Sequence, residues 1–187
     1  RRIRLPGKTP RTLPTASKFA LQKGGLDVIE ESRLPSFLLD NSLLITGEVD
    51  RVTGYEKGLA GQEVFNEGSW QPDPLTLDDQ ALIANIRGKG LIIVTGCGHS
   101  GIVNICNYAK KLTAEDKIHA IIGGFHLPDG LDTATIQNTI SDLKSLDPDW
   151  LVPAHCTGQK AIFSLVKELP NSIIQNSVGS QYVFSSS

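Results

Sequence analysis

Leu91-Ile92-Ile93-Val94-Thr95-Gly96-Cys97-Gly98-His99-Ser100-Gly101 decides how the rest of the chain is read. Its first four residues are a short continuous apolar run, too short for a helix and suited to a strand buried on both faces. A glycine-rich turn carrying a histidine follows. Ile102, Ile105, Cys106, Ala109 and Leu112 then fall at helical spacing. The same layout returns twice. Ile118 to Ile122 reads as a strand, followed by a helical stripe of Ile136, Ile140, Leu143 and Leu146. Trp150-Leu151-Val152 reads as a third strand, followed by Ile162, Leu165, Val166 and Leu169. Strand–helix alternation of this kind predicts an α/β fold with a parallel sheet.

Working back from that segment, Gln80 to Ile86 predicts a strand and Arg87-Gly88-Lys89-Gly90 a turn. Gly47 to Pro74, rich in glycine and charge, predicts a long irregular connection near a functional site. Ser42 to Thr46 and Asp27 to Ile29 are short β-type runs. Residues 1–26 hold Pro6, Pro10 and Pro14 and read as an arm or loop. Working forward, Ile173 to Phe184 predicts a final β segment. The chain thus divides into an arm (1–26), strands with a long loop (27–90), and three βα units with a closing β segment (91–187), all parts of one domain.

The 187 residues include 18 Lys+Arg and 20 Asp+Glu, a formal net charge of −2. That excludes a basic nucleic-acid reader, which needs a clear positive excess. A composition 40% hydrophobic and 20% charged excludes disorder. No apolar run approaches the ~18 residues of a membrane span. Three cysteines, an odd number without a dense framework, argue against a disulfide scaffold and for a reducing compartment, hence a cytoplasmic location. The chain has no methionine and opens Arg1-Arg2-Ile3-Arg4, so it reads as a piece of a longer protein.

Three of the four histidines, His99, His126 and His155, directly follow the three predicted strands. Residues just past the carboxyl ends of parallel strands gather on one edge, where α/β proteins bind ligands. Three imidazoles there form a transition-metal set suited to zinc or iron. His119 lies inside a strand and takes a structural or surface role. Cys97 and Cys156 are thiols near this edge, read first as small buried hydrophobes and second as ligands. Ser100 and Thr157 stand where helices begin and are expected to cap them. No nucleophile elbow of the G-x-S-x-G type is present. Gly96-x-Gly98-x-x-Gly101 fits a dinucleotide fingerprint only formally, since it encloses a site histidine and lacks an acidic partner.

Thr46-Gly47-Glu48-Val49-Asp50-Arg51, Gly54-Tyr55-Glu56-Lys57-Gly58, Asp78-Asp79-Gln80-Ala81, the 96–104 segment, Gly123–Leu127 and Pro153–Gly158 resemble, in order, motifs of the metallo-β-lactamase superfamily. The branch they resemble is that of dihydropterin ribofuranosylaminobenzene-phosphate synthase. The resemblance implies a four-layer αββα sandwich with a two-metal site, of which this chain holds mainly the C-terminal half. By motif order His99 matches the third metal motif and His155 the last. His126 stands where the superfamily usually has a bridging aspartate. The family's H-x-H-x-D-H motif is absent from the sequence and is expected ahead of Arg1.

The resemblance implies a metal-dependent hydrolase of phosphodiesters or other esters, using metal-activated water and two divalent ions, zinc first. His99, His126 and His155 are the expected ligands. Asp78 and Asp79 are expected to orient ligands, and Glu48, Arg51, Glu56 and Lys57 to meet substrate. The partners expected are a small-molecule substrate and the missing N-terminal half, or another chain, packed on the sheet. Two alternatives remain: a pterin-related synthase on the same fold, and a non-catalytic module lacking the first metal motif.

Overall fold

The computed structural model describes residues 1–30 and 33–186. In chain order the elements are β1 (Arg2–Ile3), β2 (Arg11–Thr12), α1 (Lys18–Lys23), β3 (Ser36–Leu38), β4 (Leu43–Ile45), β5 (Gln62–Asn66) and β6 (Ser69–Pro72). They continue as β7 (Ala81–Ile86), β8 (Gly90–Thr95), α2 (Ile102–Thr113), β9 (Ile118–Gly124), α3 (Thr133–Leu146), β10 (Trp150–Ala154) and α4 (Gln159–Glu168).

Two sheets result. The larger has the order β10-β9-β8-β7-β4-β3, and the smaller β2-β1-β5-β6. Within the larger sheet, β8, β9 and β10 run parallel, with Ile93 beside Ile121 and Ile121 beside Leu151. β7 joins β8 antiparallel through the expected turn. The parallel part follows from the three apolar runs, each too far from the next for a hairpin and each linked through a helix.

Alternation along the strands gives each face its role. Leu91, Ile93, Ile121 and Leu151 join one core with Ile102, Ile105, Cys106 and Ala109 of α2, Ile136, Ile140 and Leu143 of α3, and Ala161 and Leu165 of α4. Each large apolar side chain removed from water there is worth about 1.5–3 kcal/mol. The opposite face presents Ala120, Trp150 and Val152, which share a cleft with Ile174, Tyr182 and Phe184 of the C-terminal segment. No helix among the described residues is long and apolar enough to cross a membrane.

Four sequence expectations need correction. Residues 1–26 are more than an arm: β1 pairs with β2 and β5, and Ser17 caps α1. Asp27 to Ile29 forms no strand, whereas Ser36–Leu38, immediately after Pro35, does. The stretch from Gly47 to Pro74 is irregular only as far as Gly61, and then forms the β5–β6 hairpin. Ile173 to Phe184 contributes a single bridge, Leu151 to Ile173, and is otherwise irregular. The hairpin alternates weakly in hydrophobicity, and strands of two residues leave no period to read.

Candidate metal centre

The loops after β8, β9 and β10 are pressed together by glycines. Gly98, at φ +73°, would bring an added β-carbon within 2.6 Å of the Gly124 carbonyl oxygen. A β-carbon on Gly124 would lie 2.7 Å from the Gly96 carbonyl oxygen and 2.9 Å from Cys156 Sγ. Only hydrogen fits at these contacts. His126 and His155 themselves adopt left-handed backbone, at φ 48° and 52°. Such conformations in non-glycine residues cost roughly 1–3 kcal/mol and concentrate at functional sites.

At this edge His99 and His126 meet edge to face, with ring centroids 4.4 Å apart. Cys97 Sγ lies 3.7 Å from His126 Nδ1 and 3.1 Å from Cys156 Sγ. Cys97, His99 and His126 hold ligand atoms within 4.8 Å of one another, and so do Cys97, His155 and Cys156. Among the described residues no such group contains all three histidines. The three imidazoles therefore gather at one edge around the Cys97 sulfur. The buried His126 Nε2 has no hydrogen-bond partner among the described residues.

Burial, reinforced by neighbouring His126, holds His99 below the ordinary imidazole pKa and favours its neutral form. That is the form that binds metal. The hydrogen bond between the two cysteines pushes the Cys97 thiol up and draws Cys156 down. Nitrogen and sulfur donors and an unpartnered imidazole nitrogen suit a transition metal.

Around the donors the remaining residues sort by contact. Asp79 accepts a hydrogen bond from the Ser100 amide at 2.9 Å and so braces the loop that carries His99. Asp78 pairs instead with Arg1. Arg51 donates to the His99 carbonyl oxygen at 3.2 Å and to the Leu75 carbonyl oxygen. Burial lowers its pKa, opposed by Asp79, Glu56 and Glu48. Glu48 lies 3.8 Å from Arg33 and lines a separate cleft with Arg1, Asp73 and Asp78. A second cleft, about 410 Å³ counting space open to solvent, reaches His99 and His126 between Tyr55, Lys57, Phe125, Leu127 and Leu131.

Glu56 also lines the cleft that reaches His99 and His126. Its carboxylate accepts hydrogen bonds from the Val103 and Asn104 amides at 3.0 and 2.9 Å and from the Thr53 hydroxyl at 3.0 Å. It thus caps α2 from a distant loop, and burial raises its pKa. Ser100 does not cap α2: Gly101 occupies the cap position, and its missing side chain leaves room for Glu56. Thr157 likewise leaves the cap of α4 to Gly158, while its hydroxyl accepts from the Phe125 amide at 3.1 Å. Asn104, missed in the sequence, accepts from the Val52 and Thr53 amides at 2.8 and 2.9 Å. Asn104 lies off the apolar stripe of Ile102, Ile105, Cys106, Ala109 and Leu112, so the helical spacing carried no signal for it. His119 lies away from the centre, bound to Asp149 at 2.6 Å, as expected.

No protein-family model matches the chain. It is 36% identical over 148 residues to an uncharacterized protein of Methanocaldococcus jannaschii, covering 79% of this chain and 51% of that protein. It is 44% identical over 85 residues to 7,8-dihydropterin-6-methyl-4-(beta-D-ribofuranosyl)-aminobenzene-5'-phosphate synthase of the same organism, covering 46% of this chain and 29% of the synthase. The chain thus spans about half or less of the length of these relatives. Its structure superposes on the crystal structure of Tm1679, a metal-dependent hydrolase of the β-lactamase superfamily, with a TM-score of 0.72 and 26% identity. That match covers 84% of this chain and 58% of the other. With its two sheets, its parallel βα half and this match, the chain has a mixed α/β fold of the metallo-β-lactamase type.

Proposed function

We propose that the edge formed after β8, β9 and β10 is a divalent-metal centre serving a hydrolase of phosphodiesters or other esters. His99, His126 and His155 are its proposed ligands, zinc the proposed ion, and two ions the proposed complement of the complete protein. The observation that carries this reading is His126 Nε2, buried without a partner beside the His99 ring. A buried polar atom left unsatisfied costs about 1–3 kcal/mol, and a metal ion is a partner that suits both imidazoles.

A bound ion of this kind polarises an ester oxygen and lowers the pKa of a bound water. The chain's own residues supply the rest. Asp79 and Arg51 hold the His99 loop from two sides. Phe125, Leu127 and Leu131 give the adjoining cleft an apolar wall, and Lys57 at its rim offers a positive charge to an anionic substrate. Glu48 and Asp78 face another cleft and take no part in substrate contact in this reading.

The proposed partners are a small-molecule substrate and further polypeptide, in the same protein or another chain, that completes the ligand set. Relatives about twice as long as the matched segment support this, as do the exposed Phe37, Leu39 and Val52. Three free cysteines support a cytoplasmic setting. The identity to the dihydropterin synthase favours a second reading, a pterin-related synthase using the same centre.

The test is turnover by the metal-loaded full-length protein on a panel of phosphodiesters and thioesters. Hydrolysis abolished by His126→Ala is expected. Metal uptake without turnover of any ester would contradict the hydrolase reading and favour the synthase or a non-catalytic module.

A further inference from the structure

We infer that Cys97 and Cys156 are themselves metal ligands, and that the Cys97 sulfur is shared between two metal positions. One position is completed by His99 and His126, the other by His155 and Cys156. This rests on the reading of the edge as a metal centre and deepens it: the centre becomes a mixed sulfur–nitrogen site.

The geometry makes the case. Two sets of three donors satisfy the 4.8 Å spacing, and Cys97 belongs to both. Its sulfur lies 3.7 Å from His126 Nδ1 and 3.1 Å from Cys156 Sγ. Two sulfurs on one tetrahedral zinc, with bonds of ~2.3 Å, stand about 3.8 Å apart. The pair therefore needs to open by less than about 1 Å to admit an ion. The fold makes room for these sulfurs: an added β-carbon on Gly124 would lie 2.9 Å from both Cys156 Sγ and Cys97 Cα. Both cysteines are partly exposed, so an ion can reach them. Cys106, in contrast, is wholly buried in the core. The left-handed backbone at His126 and His155 and the unpartnered His126 Nε2 are independent marks of a site built for a ligand. Thiolate and imidazole donors select zinc, copper(I) or iron over magnesium and calcium.

Cobalt(II) titration of the reduced full-length protein under anaerobic conditions tests this directly. A sulfur-to-cobalt charge-transfer band is expected, saturating at about two ions per protein. Cys97→Ser should abolish most of the band and weaken both positions. Cys156→Ser should remove one position and leave part of the band. Cys106→Ser should change neither, and circular dichroism should show that each variant remains folded. Cobalt bound without a charge-transfer band would overturn the sulfur ligation while leaving the histidine centre standing. Unchanged uptake in folded Cys97→Ser, or a Cys97–Cys156 disulfide in the metal-loaded protein by mass spectrometry, would do the same. Failure to bind cobalt or zinc at all would remove both the inference and the metal reading on which it rests.

Discussion

Among the described residues before Gly90, only Leu44, Val49, Ala81 and Ile83 join the main buried cluster, and the βα half supplies the rest. The first part also leaves Phe19, Ile29, Phe37, Leu39 and Phe65 exposed. The two parts thus do different work. The βα half is a packed scaffold whose strand ends carry every proposed ligand. The earlier part is held to it by pairing of β7 with β8, and by a polar clamp in which Glu56 and Asn104 pin the 52–56 loop onto the start of α2. A rigid half that carries the donors and a loosely packed half that shapes the approach to them have different sensitivities to substitution.

The largest effect should come from the scaffold. Ile121→Ala removes a fully buried side chain under α2 and α3 and should cost about 2–5 kcal/mol, measured by urea unfolding. A cost below that found for variants in the first part would contradict the division. Gly124→Ala should be next, at about 1–3 kcal/mol for overpacking, together with loss of metal uptake, because its β-carbon would press on the Gly96 carbonyl and both cysteines.

Glu56→Ala should cost about 1–3 kcal/mol by leaving buried α2 amides unsatisfied. Hydrogen exchange should speed up in residues 47–61 and stay slow in β8 and β9. The pH dependence has a definite sign. Burial raises the folded pKa of Glu56, so the folded state holds a proton to higher pH than the unfolded state. Wild type should therefore lose stability relative to Glu56→Gln as pH rises from the ordinary carboxylate range through the raised folded value.

Asp132, the cap of α3, should matter less. The Thr135 amide and hydroxyl hold its carboxyl below the usual range. Its contribution should be complete above the ordinary carboxylate pKa and fade as pH falls through the folded value, and Asp132→Ala should remove that dependence. Phe37→Ala, on the exposed edge strand β3, should change the stability of this chain by no more than about 0.5 kcal/mol.

The same division governs what could be read from the sequence. Leu91–Val94, Ile118–Ile122 and Trp150–Val152 announced parallel strands because each is a short, mostly apolar run followed by a helical stripe. The histidines after them announced the edge. Cys97 and Cys156 stand at equivalent strand ends, but a separation of 59 positions hid their 3.1 Å contact. Glu56 looked like a solvated loop charge because its partners, the amides of α2, have no side-chain signature. Ser100 looked like a cap because local spacing could not reveal that a carboxylate 44 residues upstream would take that role through Gly101. Local pattern thus reported the packed half well. Long-range polar contacts and the short strands β1, β2 and β3 were beyond it.

Zinc content after dialysis, determined by elemental analysis on the full-length protein and on its His99→Ala/His126→Ala double variant, tests the metal centre most directly. Zinc retained at near-stoichiometric level by the full-length protein and lost by a folded double variant is the predicted result. Equal zinc in both, or none in either, would contradict a metal centre at the ends of β8, β9 and β10.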